Sequence, residues 1–321
     1  MRRILVLGPP RSGSTWASEV LASVPGGLRI HEPDSDPHVP FALLSKAGLG
    51  RYPLLGNGDD APRYRELWSA ALAGPDDPRR AVGLADRALE RVAKGLLRLS
   101  TLDDRNAMLV PATADPTPMR VRLLHRGLAL TARPQTPGVA EIQVVKSVHT
   151  PTAADFVTAM TDDPVVVIRR NPLNAVASWL ELGWKRQRIG GSPAAERAFA
   201  ESIGGSAPPS DDAPILEHHA WSYAALTRSL DLAVEHHPEW IVVQHEDLCN
   251  DPVGGFRRMF ETLDLPFTDE VVATLDERNR PSTGYETKRV ASDQAERWKE
   301  RLDDQQVATI RNIAASLSVD C

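Results

Sequence analysis

Cysteine is almost absent from this chain. Only two of the 321 residues are cysteines, Cys249 and Cys321. Two cysteines cannot build the disulfide framework of a small secreted scaffold, and neither lies in the spacing of a zinc site. We therefore expect a reduced, cytoplasmic setting and no metal centre.

Long apolar runs and an excess of positive charge are also missing. No run approaches the roughly 20 apolar residues of a membrane-spanning helix, and the start MRRILVLG has an apolar core too short for a signal peptide. The chain has 37 basic and 43 acidic residues, a formal net charge of −6. Neither a membrane span nor nucleic acid as a partner is therefore expected, and any anion site must be a local cluster of cations.

Strand–loop–helix units are what the sequence has instead. Short apolar runs predict buried strands at Arg3–Leu7, in GGLRIHEP, from Ile142, at Val165–Ile168 and in EWIVVQHEDL. Helices are predicted at Ser14–Val24, Arg80–Ser100 and Leu216–His236, and from Asn171–Pro172 onward. This alternation favours an α/β fold with a mostly parallel sheet flanked by helices, and sites at the carboxyl ends of its strands.

The loop after the first strand has the outline of a phosphate-binding loop with one change. In ILVLGPPRSGSTW, Gly8, Gly13 and Thr15 match G-x-x-x-x-G-K-[ST], but Ser14 stands at the lysine position. The start of a helix attracts phosphate with or without that lysine. A triphosphatase would also need a carboxylate for Mg²⁺ after a neighbouring strand. The VVVI strand ends instead in Arg169–Arg170, which favours a ligand with extra phosphate and no metal.

Four segments resemble the sulfotransferases that use 3′-phosphoadenosine-5′-phosphosulfate (PAPS). PPRSGSTWASEVL is similar to their 5′-phosphosulfate loop, and RNPLNAVAS to their 3′-phosphate motif. QHEDLCNDP resembles their YEDL…DP stretch, with His245 in place of the usual Tyr, and RWKERLDDQQVATI resembles their C-terminal end. The matches keep the family order from residue 8 to about residue 310, which implies a P-loop-like sulfotransferase architecture.

The resemblance also implies roles for individual residues. The family's basic C-terminal segment is replaced here by TKRVASD, so Lys288 and Arg289 are the counterparts there. Trp16 would stack on adenine. The 5′-phosphate and sulfate would be held by Arg11, Ser12, Gly13, Ser14 and Thr15, and the 3′-phosphate by Arg170 and Ser178 with Lys288 and Arg289.

The general base has two candidates. Glu32, in RIHEPD, resembles the strand-two glutamate of the branch that sulfates tyrosine and carbohydrates. His149, in KSVHTP, resembles the histidine of the cytosolic branch but lies one residue further from Lys146. Glu32 is the favoured base, Arg11 is placed to stabilise the departing phosphate oxygen, and Lys146 belongs to the same catalytic group. Arg169 is expected to be structural.

The sequence therefore predicts a sulfotransferase that acts on a hydroxyl of a small molecule, such as a natural product or a carbohydrate. Residues 1–321 would form a single domain, with an insertion at about 37–138 that shapes the acceptor pocket and a mobile loop at about 190–214. Abundant Arg, Ala and Pro are typical of a GC-rich bacterial gene. Alternative functions are a P-loop kinase or NTPase, and a nucleotide-binding protein without catalysis.

Overall fold

The structure is a computed structural model that describes residues 1–80, 83–111, 117–186, 188–278 and 294–321. Its centre is a parallel sheet in the order β2-β3-β1-β4-β5. The strands are β1 Arg2–Leu7, β2 Gly27–His31, β3 Ile142–Ser147, β4 Val165–Arg169 and β5 Ile241–Gln244. The predicted α/β class and the parallel sheet are confirmed.

Helices cover both faces of this sheet. They are α1 Ser14–Leu21, α2 Pro40–Ser45, α3 Pro62–Ala71, α4 Leu84–Leu99, α5 Leu102–Leu109, α6 Met119–Thr131, α7 Ala154–Thr158, α8 Pro172–Glu181, α9 Pro193–Ser202, α10 Ile215–His236, α11 His245–Asn250, α12 Pro252–Thr262, α13 Asp269–Arg278 and α14 Asp304–Ala315. Short 3₁₀ turns lie at Pro78–Arg80, Ile189–Gly191 and Arg297–Glu300. No helix of the described ranges combines the length and the apolar character needed to cross a bilayer.

Side chains of β1 alternate between two hydrophobic layers. Ile4 and Val6 pack in the layer of α1 and α12, whereas Leu5 and Leu7 pack in the layer that contains α2, α3 and α7. All four are fully buried, as expected for a central parallel strand covered on both faces. A third layer joins α8, α10 and α14 around Trp179 and Trp221. The strand before the loop, β1, and the helix after it, α1, are therefore both fixed by packing in the core.

Two segments differ from the sequence-based assignments. The run EWIVVQHEDL does not continue as a strand, because β5 ends at Gln244 and α11 begins at His245. The region from Pro37 to Pro78, which carries no readable periodicity, contains α2 and α3. Both helices place a proline, Pro40 and Pro62, in the first turn, where the missing N–H has no intrahelical partner to lose.

The segment after α8 is tied to the body of the protein. Ile189–Gly191 are buried, and α9 follows at Pro193–Ser202. Glu196 is buried and accepts hydrogen bonds from Arg186 at 3.0 Å and from Arg188 at 3.1 Å. Both arginines also reach Asp211. These contacts link the two ends of the segment predicted as a loop at 190–214.

Candidate active site

The loop between β1 and α1 turns sharply and leaves the start of α1 without a side-chain cap. Arg11 has φ of 69° and Gly13 has φ of 95°, both in the left-handed region. The Ser12 N–H donates to the Pro9 carbonyl at 3.1 Å and closes the turn. No side chain caps α1 at Gly13. The first N–H groups of the helix and the positive end of its dipole therefore remain available to an anion.

Both loop glycines are required by close packing. A Cβ atom at Gly13 would lie 2.0 Å from Cδ2 of His245 on α11. A Cβ atom at Gly8 would lie 2.6 Å from the Ile168 carbonyl oxygen on β4. The glycine pattern seen in the sequence therefore reflects the contact of the loop with two neighbouring elements as well as its backbone conformation.

Arg170, directly after β4, connects the loop to the next element. Its Nη1 donates to the Arg11 carbonyl at 2.8 Å, and its Nε is buried without a hydrogen-bond partner among the described residues. Arg11 in turn donates from Nε to Ser178 Oγ on α8 at 3.1 Å. The structure thus brings Arg11, Arg170 and Ser178 together. Arg169 pairs with Asp231 at 2.6 Å, as expected for a structural residue.

Trp16 lies at the edge of the core beside this loop. Its ring meets Phe256 edge-to-face at a centroid distance of 5.0 Å and His245 at 6.0 Å. Its Nε1 is buried with no hydrogen-bond partner in the described part of the chain. One part of the indole is therefore fixed by packing while another part faces the cavity described below.

Glu32 follows β2 and is locked against β3. Its backbone has φ of 47°, and its N–H donates to the Lys146 carbonyl at 2.8 Å. The Lys146 ammonium donates to Glu32 Oε1. Burial raises the pKa of Glu32, but the charge of Lys146 and the hydrogen bond from Lys146 outweigh it, so the pKa is lowered overall. Burial lowers the pKa of Lys146. The Glu32 carboxylate is therefore ionised at neutral pH.

His149 lies against a buried cation. Its Nδ1 is 3.0 Å from Lys46 Nζ and 3.4 Å from Asp36 Oδ1, and its ring stacks on Tyr52. An ammonium can only donate, so Nδ1 accepts and the neutral imidazole carries its proton on Nε2. Burial, and then the charge of Lys46, lower the pKa of His149 to about 4. In this arrangement His149 is a neutral hydrogen-bond donor.

The polar network beneath His149 was not predicted from the sequence. Asp36 is fully buried and pairs with Lys46 at 3.3 Å and with Arg51 at 2.9 Å. Burial raises the pKa of Asp36, but these two cations lower it to about 2. Asp34 accepts hydrogen bonds from Ser147 and Tyr64. The acidic run EPDSDP was a visible signal, whereas Lys46, Arg51 and Tyr64, which pair with Asp36 and Asp34, lie in a region without periodicity.

One cavity of about 610 Å³ collects most of the predicted residues. Ser12 is buried inside the loop and Ser178 lies behind Arg11, and neither lines the cavity. Lys288 and Arg289 lie outside the described residues. The predicted residues that line it are Arg11, Gly13, Ser14, Thr15, Trp16, Glu32, Lys146, His149 and Arg170. Lining residues that were not predicted are Pro10, Ser35, Pro37, His38, Arg51, Tyr52, Leu102, Val148, Gly183, Trp184, Lys185, His245, Cys249 and Gln294.

Comparison with known proteins decides the family. A model of the sulfotransferase family matches residues 3–269, which include the loop, Glu32, His149, Arg170 and His245. The chain belongs to the sulfotransferase family. The leading interpretation of the sequence is thereby confirmed over that of a P-loop kinase or NTPase. A search of curated proteins finds no significant match.

Solved structures similar to this sulfotransferase are distant. A sulfotransferase domain from the Synechococcus PCC 7002 olefin synthase is 16% identical over 100% of this chain and 96% of that chain, with a TM-score of 0.42. STF9 from Mycobacterium avium is 16% identical over 98% and 75%, with a TM-score of 0.41. Mouse SULT7A1, complexed with PAP, is 9% identical over 99% and 85%, with a TM-score of 0.42. Family membership therefore rests on the family model.

His245 is a site residue of this sulfotransferase that received no role from the sequence. It begins α11, touches Gly13 and Trp16, and lines the cavity. Burial, followed by the charges of Arg170 and Arg11, lowers its pKa well below the usual value. The neighbouring Glu246 accepts from the Asn171 N–H and the Asn174 amide, which fixes the start of α8. The signal was the HED triplet, where histidine replaces a family tyrosine.

Proposed function

We propose that this protein transfers the sulfuryl group of PAPS to a hydroxyl group of a small-molecule acceptor. The observation that carries the proposal is that the loop after β1, Arg170 and Glu32 all line one cavity. The loop and Arg170 supply an anion site, and Glu32 supplies a carboxylate beside it. A cavity of about 610 Å³ is in the range of ordinary small-molecule sites.

The residues on the cavity wall fit an anionic nucleotide. Arg170 Nε and Trp16 Nε1 are buried polar atoms without partners among the described residues, which is costly unless a ligand satisfies them. The uncapped start of α1 adds backbone donors. We assign the 5′-phosphosulfate to Arg11, Ser12, Gly13, Ser14 and Thr15, adenine to Trp16, and the 3′-phosphate to Arg170 with Lys288 and Arg289, while Ser178 supports the site from behind through its hydrogen bond with Arg11.

Ser12 differs from the other loop residues because it does not line the cavity. Its hydroxyl is buried inside the loop and points to no described partner. A Cβ atom at Gly8 would lie 2.5 Å from this hydroxyl, so Ser12 packs directly over Gly8. We therefore assign both the side chain of Ser12 and its N–H, which donates to the Pro9 carbonyl, to the support of the loop that holds the 5′-phosphosulfate.

The chemistry places two demands on the protein, which are removal of the acceptor proton and stabilisation of the departing phosphate oxygen. PAPS supplies an activated sulfuryl group. Glu32, ionised and held by Lys146, takes the proton of the acceptor hydroxyl as general base. Arg11 carries a fixed positive charge in the phosphate loop, where it stabilises negative charge that develops on the bridging oxygen. Lys146 keeps the carboxylate of Glu32 in place and in its ionised form.

His149 is the alternative base, and its environment favours a different role. Because Nδ1 accepts from Lys46, Nε2 carries a proton and cannot accept another. The pKa of Glu32 is lowered as well, so it is the protonated Nε2 of His149 that separates the two candidates. We therefore assign His149 to orienting the acceptor through a donated hydrogen bond, and the proton transfer to Glu32.

The insertion contributes to the wall on the acceptor side of the cavity. Pro37, His38, Arg51, Tyr52 and Leu102 all line it and all come from the region 37–138. We propose that residues 1–321 act as a single sulfotransferase domain and that this insertion shapes the acceptor pocket. The two free thiols, Cys249 and Cys321, suit a reducing compartment, so the reaction is placed in the cytoplasm.

Calorimetry with the donor product tests this function. The protein should bind 3′-phosphoadenosine-5′-phosphate (PAP) in the presence of EDTA, since cations of the protein and not a metal neutralise the phosphates. ATP with Mg²⁺ should bind at least tenfold more weakly, because ATP lacks a 3′-phosphate and no lysine occupies position 14. Tighter binding of ATP with Mg²⁺ than of PAP would overturn the proposal in favour of an NTPase.

A further inference from the structure

The helices α4 and α6 leave a row of large apolar side chains exposed. Leu84 and Leu99 on α4 are 84% and 85% exposed, and Leu130 on α6 is 72% exposed. Val92 on α4, and Met119 and Leu123 on α6, are each at least half exposed. Monomeric proteins rarely leave several such side chains together in water without a function. We call these six residues the apolar patch.

The patch residues of α4 lie on one side of the helix. Successive residues of a helix are rotated by about 100°, so Leu84, Val92 and Leu99 fall within about 80° of one another. The residues of α4 that are buried, Ala93 and Leu97, lie on the opposite side. The exposed apolar face is therefore separate from the face that packs on the protein.

A row of cations runs beside this apolar face. Arg87, Arg91, Lys94 and Arg98 fall within about 60° of one another on the helical wheel of α4. Lys94 pairs with Glu90 at 2.9 Å. On α6, Arg122 and Arg126 lie beside Met119 and Leu130 in the same way. Positive charge is concentrated here although the whole chain has a formal net charge of −6.

The two helices place their apolar faces next to each other. A Cβ atom at Gly127 of α6 would lie 2.7 Å from Leu96 Cδ1 of α4, so the helices touch at this point. On each helix the apolar face lies between this contact and the row of cations. The result is one apolar strip along the α4–α6 seam with cations on both outer flanks. Leu102, which is 51% exposed, continues the apolar surface to the wall of the cavity.

We propose that the patch binds the surface of an anionic membrane. An exposed apolar helical face flanked by Lys and Arg is the arrangement of helices that lie in the membrane interface. The leucines would enter the acyl boundary, and the flanking arginines would meet anionic head groups. A second copy of the chain fits less well, because a two-fold interface would bring the same rows of cations against each other.

Vesicle flotation with the full chain tests the proposal. The protein should float with vesicles of phosphatidylglycerol and phosphatidylcholine, should stay behind with phosphatidylcholine alone, and should be released by high salt. Leu99→Ser with Leu130→Ser should weaken binding by at least about tenfold, because each leucine loses its transfer into the lipid. The matched exposed pair Ile215→Ser with Val253→Ser should bind like the unchanged protein. Thermal unfolding confirms that each variant is folded.

A charge variant separates lipid from other partners. Arg91→Glu should weaken vesicle binding, and Arg197→Glu, at an exposed position of α9, should not. No flotation of the unchanged protein overturns the proposal. Flotation that depends on Arg91 but not on the leucines also overturns it, since binding would then be purely electrostatic and the apolar patch would take no part in it. A dimer in light scattering that the leucine variant converts to a monomer would assign the patch to self-association and overturn it as well.

Discussion

Arg170 is the residue whose surroundings most directly indicate a ligand. One of its guanidinium nitrogens supports the loop through the Arg11 carbonyl, while Nε is buried and unpartnered among the described residues. A cation in this state is satisfied by an anion that enters the cavity. The neighbouring Arg169 also has a buried Nε without a partner among the described residues, but another of its nitrogens pairs with Asp231, and Arg169 does not line the cavity.

Replacing Arg170 therefore tests the 3′-phosphate site. Arg170→Ala should weaken binding of PAP by about 10- to 100-fold, since a charged hydrogen bond to phosphate contributes roughly 1.5–3 kcal/mol. Binding of adenosine 5′-phosphosulfate, which has no 3′-phosphate, should change much less. Arg169→Ala is the matched control and should leave both affinities near their original values. Equal losses for the two nucleotides in calorimetry would remove Arg170 from the 3′ site.

Glu32 and His149 are separated by a second pair of variants. Glu32→Gln keeps the shape of the side chain and its contact with Lys146 but removes its proton affinity. Turnover should fall by about 10²–10⁴-fold, the usual contribution of a general base, while PAP affinity stays near wild type. His149→Gln should raise KM for the acceptor more than it lowers kcat. The reverse pattern, with His149→Gln inactive and Glu32→Gln active, would make His149 the base.

Only some of the residues of the site could be predicted from the sequence. Glu32 and Lys146 were named from their resemblance to sulfotransferase motifs, and the sheet register pairs Lys146 with His31, next to Glu32. Lys46 could not be named, since it is 103 positions from His149 and lies where no periodic pattern exists. The donor character of His149 depends on this one contact and was therefore invisible in the sequence.

At the level of elements, the loop after β1 depends on its contact with α11. Gly13→Ala should lower the free energy of unfolding by more than about 1 kcal/mol, because alanine at φ of 95° is strained and its Cβ would collide with His245. PAP binding should be lost with it. Adding His245→Ala should recover only part of the stability, because it removes the collision and not the strain. Denaturant unfolding of the unchanged protein and of these two variants measures this, and a Gly13→Ala variant with unchanged stability and PAP affinity would contradict it.

The predictability of the elements follows from their periodicity. The strands around the site were placed within a few residues, because buried parallel strands are continuous apolar runs such as Val165–Ile168. The start of α8 was found from Asn171–Pro172, and Asn171 does cap the helix by accepting from the Leu173 N–H at 2.8 Å. The helices α2 and α3 could not be predicted because prolines and glycines break the apolar periodicity of this region, although a proline is compatible with the first turn of a helix.

For the molecule as a whole, buried neutral histidines predict a loss of stability in mild acid. The pKa of His149 is about 4 in the folded protein and near 6.5 when exposed, so the unfolded chain binds more protons between these values. The contribution of neutral His149 to the free energy of unfolding is therefore complete above pH 6.5. It is lost as the pH drops toward 4, which lowers the free energy of unfolding by roughly 2–3 kcal/mol from His149 alone. His245, also lowered by burial, acts in the same direction.

Denaturant unfolding across this pH range checks the expectation. The free energy of unfolding should decrease steadily on acidification through the window. His149→Gln should make the dependence shallower, because glutamine does not titrate. A pH dependence identical in the variant and in the unchanged protein would mean that His149 is not buried in its neutral form.

The central claim is that the protein moves a sulfuryl group from PAPS, and transfer of labelled sulfate tests it most directly. PAPS labelled in its sulfuryl group is incubated with the protein, EDTA and a panel of phenols, alcohols and carbohydrates. Slow hydrolysis of PAPS, with water as the acceptor, is measured in the absence of any of these compounds. The account predicts labelled product and PAP in equal amounts, unaffected by EDTA and nearly abolished in Glu32→Gln. Unchanged donor with every acceptor, together with Mg²⁺-dependent release of phosphate from ATP, would contradict it.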